Sequence, residues 1–330
     1  MRSASLATAA AILLVVLAVL PALLSAIGMG YLFRLVELTM IFAILAGSLN
    51  LVSGTAGLMS LGHAAFYGIG AYTAGLLSTQ FGTGLVTDLA AATLVAGVVA
   101  LIVAIPAIRL VRIFFTVATL AVGEIINAVL LNWDGLTRGP MGVRGIPPLQ
   151  VGGLVLVGRM GTYYDVALVS LAALWVLYRL THSYYGNALR ALREDDLSAA
   201  AAGLDVRALK LSAFAISGAL AGVAGCLQAH ITNYISPDMF QLDTSILILT
   251  MVVVGGLGSL PGAVLGACIL ILVPELGREL GHFRMIAVGL VLYVSILLMP
   301  KGVIGEVWAL RAAAQLRPGA LRREAAPAGV

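Results

Sequence analysis

Charge is what this chain most lacks. Asp, Glu, Lys and Arg make up 10% of its 330 residues, whereas a soluble domain carries about 25%. With 61% hydrophobic residues and a mean hydropathy of +1.07, that deficit excludes an ordinary soluble protein and leaves an integral membrane protein. Lysine is nearly absent: Lys210 follows Leu209 and Lys301 follows Pro300. A P-loop needs Gly-Lys-Ser/Thr, whose lysine reaches the nucleotide phosphates, so the chain cannot hydrolyse ATP by that route. Its two cysteines, Cys226 and Cys268, lie in apolar runs and read as buried thiols rather than a disulfide. The histidines, His63, His182, His230 and His282, are scattered without metal-ligand spacing, and neither HExxH nor GxSxG occurs. No enzyme active site, cofactor or metal is expected. The net charge of +4 does not indicate nucleic acid, because most basic residues sit in short loops between apolar runs.

What is present is an all-α pattern, a polytopic transmembrane helical bundle. Windows of about 19 residues place ten spans near 6–27, 33–53, 58–79, 86–108, 113–132, 163–180, 209–230, 242–257, 262–276 and 284–300. The first resembles a signal peptide with a cut near Ala22 or Ala26. Its apolar stretch of about twenty residues is long enough to span, and it reads as a retained helix. The eighth and ninth are separated only by Gly255-Gly256-Leu-Gly258-Ser259-Leu-Pro261-Gly262. Two separate helices and one broken or re-entrant pair both fit, the latter where protein covers the backbone. With the N-terminus inside, thirteen Lys and Arg face the cytoplasm and five face outside, which favours both termini in the cytoplasm. Residues 1–300 then form one membrane domain, with an irregular external loop at 133–162 and a charge-dense cytoplasmic segment at 181–208. Residues 301–330, rich in Ala, Arg and Pro, read as a disordered cytoplasmic tail.

The most informative stretch is 50–73. Gly54, Gly57, Gly62, Gly68 and Gly70 let backbones approach closely in lipid, and Asn50, Ser53, Ser60, His63 and Tyr67 lie where a polar translocation route would form. Tight helix packing alone also explains most of the glycines. Arg34 and Glu37, three residues apart, are expected to form a local ion pair. Glu124 lies mid-span with Asn127 one turn away; a carboxyl at that depth is expected to face the bundle interior or a wet cavity. It either lines a pathway or ties helices together, and a proton-coupled carrier remains open on this residue.

In the cytoplasmic segment, Arg190-Ala-Leu-Arg193-Glu194-Asp195-Asp196 leads into Leu197-Ser-Ala-Ala-Ala-Ala202-Gly203-Leu-Asp205. Asp196 is expected to cap a short helix that stops at Gly203, a left-handed terminator, and Asp205 to cap the helix entering the membrane. A short helix across a cytoplasmic surface suits docking into a groove on another protein; it also suits an ordinary connector.

Here the chain resembles a family. Ala199-Ala-Ala-Ala-Gly203, Lys210-Leu-Ser-Ala-Phe214 and Gly218-Ala-Leu-Ala-Gly222 are similar to the coupling region of ABC importer permeases. Ser60-Leu-Gly-His-Ala-Ala-Phe-Tyr-Gly-Ile-Gly-Ala-Tyr72, Gly123-Glu-Ile-Ile126, Asn132-Trp133 and Val253 to Gly266 resemble the larger membrane subunit of branched-chain amino-acid importers. The resemblance implies an ABC importer permease fold, with Glu194, Asp195, Asp196, Ala199, Gly203 and Asp205 coupling to the ATPase. Leu197-Ser198-Ala199 stands where the general motif has Glu-Ala-Ala, so the acidic role passes to Glu194, Asp195 or Asp196. The implied partners are a smaller paralogous permease subunit, two cytoplasmic ATP-binding subunits and a periplasmic substrate-binding protein, in a bacterial inner membrane. Alternatives are a same-fold permease for urea, a short amide or a sugar, and an ion-coupled carrier using Glu124.

Overall fold

Lipid offers the backbone no hydrogen-bond partners, so apolar runs of this length satisfy themselves as helices. The computed structural model describes residues 30–110, 112–148 and 159–276, together with Pro21, Gly289 and Gly302. Helix α1 (Gly30–Leu49) continues into a π-helical segment, Asn50–Thr55. There follow α2 (His63–Phe81), α3 (Leu85–Ala107), α4 (Arg112–Asn132) and α5 (Arg159–Thr181). Two short helices, α6 (Tyr184–Glu194) and α7 (Asp196–Ala201), lead to α8 (Val206–Thr232), α9 (Leu242–Gly255) and α10 (Leu260–Leu276). Two-residue strands β1 (Val143–Arg144) and β2 (Tyr234–Ile235) pair antiparallel, Val143 opposite Ile235.

Six stretches among the described residues are long and apolar enough to cross a membrane: Tyr31–Thr55, Leu85–Ala107, Ile113–Asn132, Met160–Thr181, Val206–Thr232 and Pro237–Gly255. The expected first and tenth spans and the 301–330 tail, apart from Pro21, Gly289 and Gly302, lie outside the described residues. Helix α8 is the centre of the bundle and packs against α2, α3 and α1. Small residues allow this. Ala92, Ala96, Ala100 and Ala104 form a fully buried i, i+4 ridge on α3, and a Cβ at Gly222 of α8 would come within 2.5 Å of the Ala92 carbonyl. Such backbone contact is how helices associate where water supplies no hydrophobic drive.

Two expectations about elements are corrected, and one choice left open is decided. Helix α2 starts at His63 rather than at 58, because residues 56–62 turn aside onto α4. There Leu61 N–H donates to Thr119 Oγ1 (3.1 Å) and Thr116 Oγ1 donates to the Met59 carbonyl (3.0 Å). The eighth and ninth segments are separate helices, since the chain reverses at Gly256 with φ +114°. Helix α9 also begins part-way into the bundle. The turn before it, Pro237–Phe240, puts Phe240 against Tyr67 and Tyr72 midway along α2, and Ala64 N–H donates to Ser245 Oγ. The span expected at 163–180 begins earlier, at Arg159 of α5.

Candidate functional site

The segment joining α5 to α8 is held to the membrane helices by side chains on one face of α6. Leu189 and Leu192 are buried. Arg190 Nη2 donates to the Thr181 carbonyl at the end of α5 (2.7 Å), a favourable place for a cation because the last carbonyls of a helix lack partners. Tyr185 Oη meets Ser212 Oγ at 2.9 Å. Burial pushes the Tyr185 phenol up and the Ser212 hydrogen bond draws it partly back, so a neutral ring ties α6 to α8.

The cap of α7 differs from expectation. Asp195, extended at φ −156° and ψ 120°, accepts from Leu197 N–H (2.7 Å) and Ser198 N–H (3.0 Å). Asp196 is the first residue of α7 and pairs with Lys210. The capping residue must have non-helical backbone angles, and Asp195 is the one that breaks from α6. Ala199 is buried; Glu194 and Leu197 are exposed. Gly203 takes φ +85°, and Asp205 accepts from Ala208 N–H, so both residues do locally what their types suggest.

The link that spacing did not reveal is Arg193. Its Nη1 donates to the Gly54 carbonyl in the π-helical end of α1 (2.7 Å). Its stem lies over Gly57, where a Cβ would come within 2.9 Å of Arg193 Cγ and where φ is +75°. Asn50 Oδ1, in the same π segment, accepts from Gly258 N–H in the α9–α10 turn (2.8 Å). Arg193, the end of α1 and the α9–α10 turn therefore meet in one junction. An insertion of π geometry frees backbone groups from the regular ladder, and here the Gly54 carbonyl is met by an arginine. An open cavity of about 690 Å³ adjoins the junction, lined by Gly57, Leu58, Arg109, Glu194, Asp195 and Lys210 among others.

The residues read as a polar route divide into two groups. Asn50, Ser53, Ser60, His63 and Tyr67 are all buried within the chain. Ser53 Oγ donates to the Leu58 carbonyl (3.2 Å) and accepts from Ser60 N–H (3.4 Å). His63 Nε2 meets Ser48 Oγ at 2.9 Å, and Ser217 Oγ donates to the Ser48 carbonyl. Tyr67 stacks edge-on against Phe240 with centroids 5.0 Å apart. Asn50 Nδ2 and Ser60 Oγ are buried without a hydrogen-bond partner. Glu124, by contrast, is exposed on the outer face of α4, beside Ile125. The expectation that it faces the interior of this chain is corrected. One turn on, Asn127 Nδ2 donates to the Pro237 carbonyl (3.0 Å), linking α4 to the turn that starts α9. Among the described residues no group of three or more His, Cys, Asp or Glu converges as metal ligands do.

Residues 31–300 match the family model described as branched-chain amino acid transport system / permease component. The chain is 34% identical over 312 residues to the high-affinity branched-chain amino acid transport system permease protein LivM of Escherichia coli K12, covering 88% of this chain and 73% of that one. It is 34% identical over 290 residues to LivM of Salmonella typhimurium, covering 81% and 68%. It is also 26% identical over 293 residues to the permease protein LivH of Escherichia coli K12, covering 83% and 94%. No solved structure matches. The match across nearly the whole helical domain, including the junction and the α4 face, means that this chain belongs to the family of branched-chain amino acid transport system permease components.

Proposed function

We propose that the chain is a membrane-spanning permease subunit of an ATP-driven importer of branched-chain amino acids, without an ATPase site of its own. It works in a bacterial inner membrane beside a smaller paralogous permease, two cytoplasmic ATP-binding subunits and a periplasmic binding protein. Similarity to relatives named both LivM and LivH supports a paired permease. Neither Lys210 nor Lys301 completes a P-loop, which supports an external energy source. We further read ten spans with both termini in the cytoplasm, residues 1–300 as the membrane domain, 133–162 outside, 181–208 as the coupling segment and 301–330 as a tail.

The observation that carries the reading is the junction at Arg193. A segment seated on an ATPase through Glu194, Asp195 and Asp196, with Ala199 packing it and Gly203 and Asp205 fixing its exit, moves with that ATPase. Through the Gly54 carbonyl the movement reaches α1, and through Asn50 it reaches the α9–α10 turn. Helix α9 starts inside the bundle, where its first turns are held by Asn127 and Ser245 and by Phe240 against Tyr67 and Tyr72. We read it as the element that shifts, because the α9–α10 turn at its other end belongs to the junction. The route then runs along the exposed face of α4, with Glu124 orienting the substrate ammonium. Asn50 and Tyr67 meet the two ends of α9, at the α9–α10 turn and at Phe240, and with Ser53, Ser60 and His63 they become part of the route as it moves. Polar contacts made this transiently stay weak enough for release.

The test is leucine uptake by the assembled complex in proteoliposomes, with ATP hydrolysis measured on the same vesicles. Hydrolysis is expected only from the complex, and Glu124→Gln is expected to keep ATP-driven uptake within about threefold, since the substitution keeps shape and hydrogen bonding. Leucine uptake by this chain alone, driven by a proton gradient and abolished in Glu124→Gln, would replace this reading with an ion-coupled carrier.

A further inference from the structure

At the end of the bundle opposite the Arg193 junction, Arg34 and Glu37 do not pair. The ion pairs within 4.0 Å among the described residues are Lys210–Asp196 and His230–Asp88. Arg34 and Glu37 instead line one cavity of about 500 Å³ with Tyr31, Phe33 and Thr162, closed on the α8 side by Ile231. Glu37 is only 6% exposed, and no hydrogen bond or ion pair of its carboxylate is present among the described residues. Arg34 is exposed to the same space. Tyr31 Oη donates to Glu275 at 2.6 Å. A carboxylate buried to this degree is costly; Arg34 is the cation that faces it across the cavity, and in a helix of this hydropathy an ionisable residue marks a functional site.

We infer that this cavity is a binding site for a zwitterion, a primary ammonium held by Glu37 with an anionic group a few ångströms away held by Arg34. The two side chains sit one helical turn apart on one face of α1, which fixes the separation of the ligand charges. Phe33 and Ile231 provide an apolar wall for an aliphatic portion, and the volume suits a small ligand. Two ligands share this chemistry: a free α-amino acid, and the phosphoethanolamine headgroup of a lipid entering from the membrane edge. The site is separate from the α4 face. Its amino-acid form deepens the transport reading, whereas its lipid form stands without it.

The experiment uses the purified permease complex without ATP or binding protein. One arm measures equilibrium leucine binding, with leucinamide and 4-methylpentanoate as analogues that lack one charge. The other measures lipid retained by mass spectrometry after exchange into nanodiscs of phosphatidylethanolamine or phosphatidylglycerol. We expect one arm to show zwitterion binding at least about tenfold tighter than the singly charged counterpart, as charge-assisted contacts predict. Arg34→Gln and Glu37→Gln should each remove that preference. Equal binding of singly and doubly charged ligands in both arms overturns the site, as does unchanged preference in both variants. Arg34→Lys and Glu37→Asp, which keep each charge, should retain the preference and carry the test where a neutral variant fails to assemble; loss of the preference in neither the neutral nor the charge-keeping variants overturns the site. A complex that takes up leucine yet shows neither preference overturns the site alone; one that shows a preference but no uptake overturns only the transport reading.

Discussion

Helices α1 and α8 differ from α3 and α4 in a way that reverses the habit of soluble proteins. The most apolar stretch of α1 with its π-helical end is 78% buried and that of α8 is 72% buried, at mean hydropathies of 2.0 and 1.6. Helices α3 and α4 are as apolar or more so, at 2.5 and 2.0, yet only 22% of each is buried. On α3 Ala92, Ala96, Ala100 and Ala104 face inward while Leu94 and Ile102 are 66% and 60% exposed. Small residues mark the inside here because close backbone approach holds the helices together, and large apolar residues mark what faces lipid or another subunit. On α4 the exposed face also carries Glu124. A carboxylate is poorly tolerated by hydrocarbon, which is the ground for assigning that face to the route and the partner permease rather than to lipid.

Substitutions sharpen this contrast, beginning where the effect is largest. Gly222→Leu drives a side chain into the Ala92 carbonyl and is expected to cost about 3 kcal/mol or more by overpacking, read as loss of folded protein and a lowered melting temperature in detergent. Leu94→Ala on the exposed face of the same helix pair should stay within about 0.5 kcal/mol. Equal effects at the two positions would break the comparison. Ser48→Ala removes the buried partner of His63 and should cost about 2 kcal/mol by the same measurement.

At the coupling segment the expected effects are smaller and local. Gly203 has open space around it but a φ of +85°, so Gly203→Ala should cost about 1 kcal/mol and Gly203→Val more, from backbone strain alone. ATPase co-purification and uptake should fall in the same order, and wild-type levels in Gly203→Val would reduce the segment to a connector. Asp195→Ala should cost about 1 kcal/mol through the lost cap, against about 0.5 kcal/mol or less for Asp196→Ala, which loses a half-exposed ion pair. Amide exchange across residues 195–201 reads the difference.

These particulars show what the residues reveal by themselves. Hydropathy located α1, α3, α4 and α8 to within a few residues because each is a long uninterrupted apolar run. Gly203 and Asp205 were legible because their roles depend on local backbone conformation. Asp195 and Asp196 are chemically alike, and only the break in the backbone decides which one caps. Arg34 and Glu37 have pairing distance along the helix, but a cavity lies between helices at that point. Glu124 announced its depth and not its direction, since rotation about the helix axis is set by packing. Arg193 was in plain view beside the acidic cluster, yet its acceptor is 139 residues away, and no local pattern predicts such a contact. The glycines at 54, 57 and 258 were its trace: three small residues where one arginine and one asparagine needed the backbone bare.

The central claim is that Arg193 carries motion from the ATPase to α1 and, through Asn50, to the α9–α10 turn. The direct measurement is leucine taken up per ATP hydrolysed by the reconstituted complex, wild type against Arg193→Ala. The account predicts an assembled complex that still hydrolyses ATP while uptake per ATP falls about tenfold or more, the scale of one charge-assisted hydrogen bond. An unchanged ratio in a fully assembled Arg193→Ala complex would contradict it.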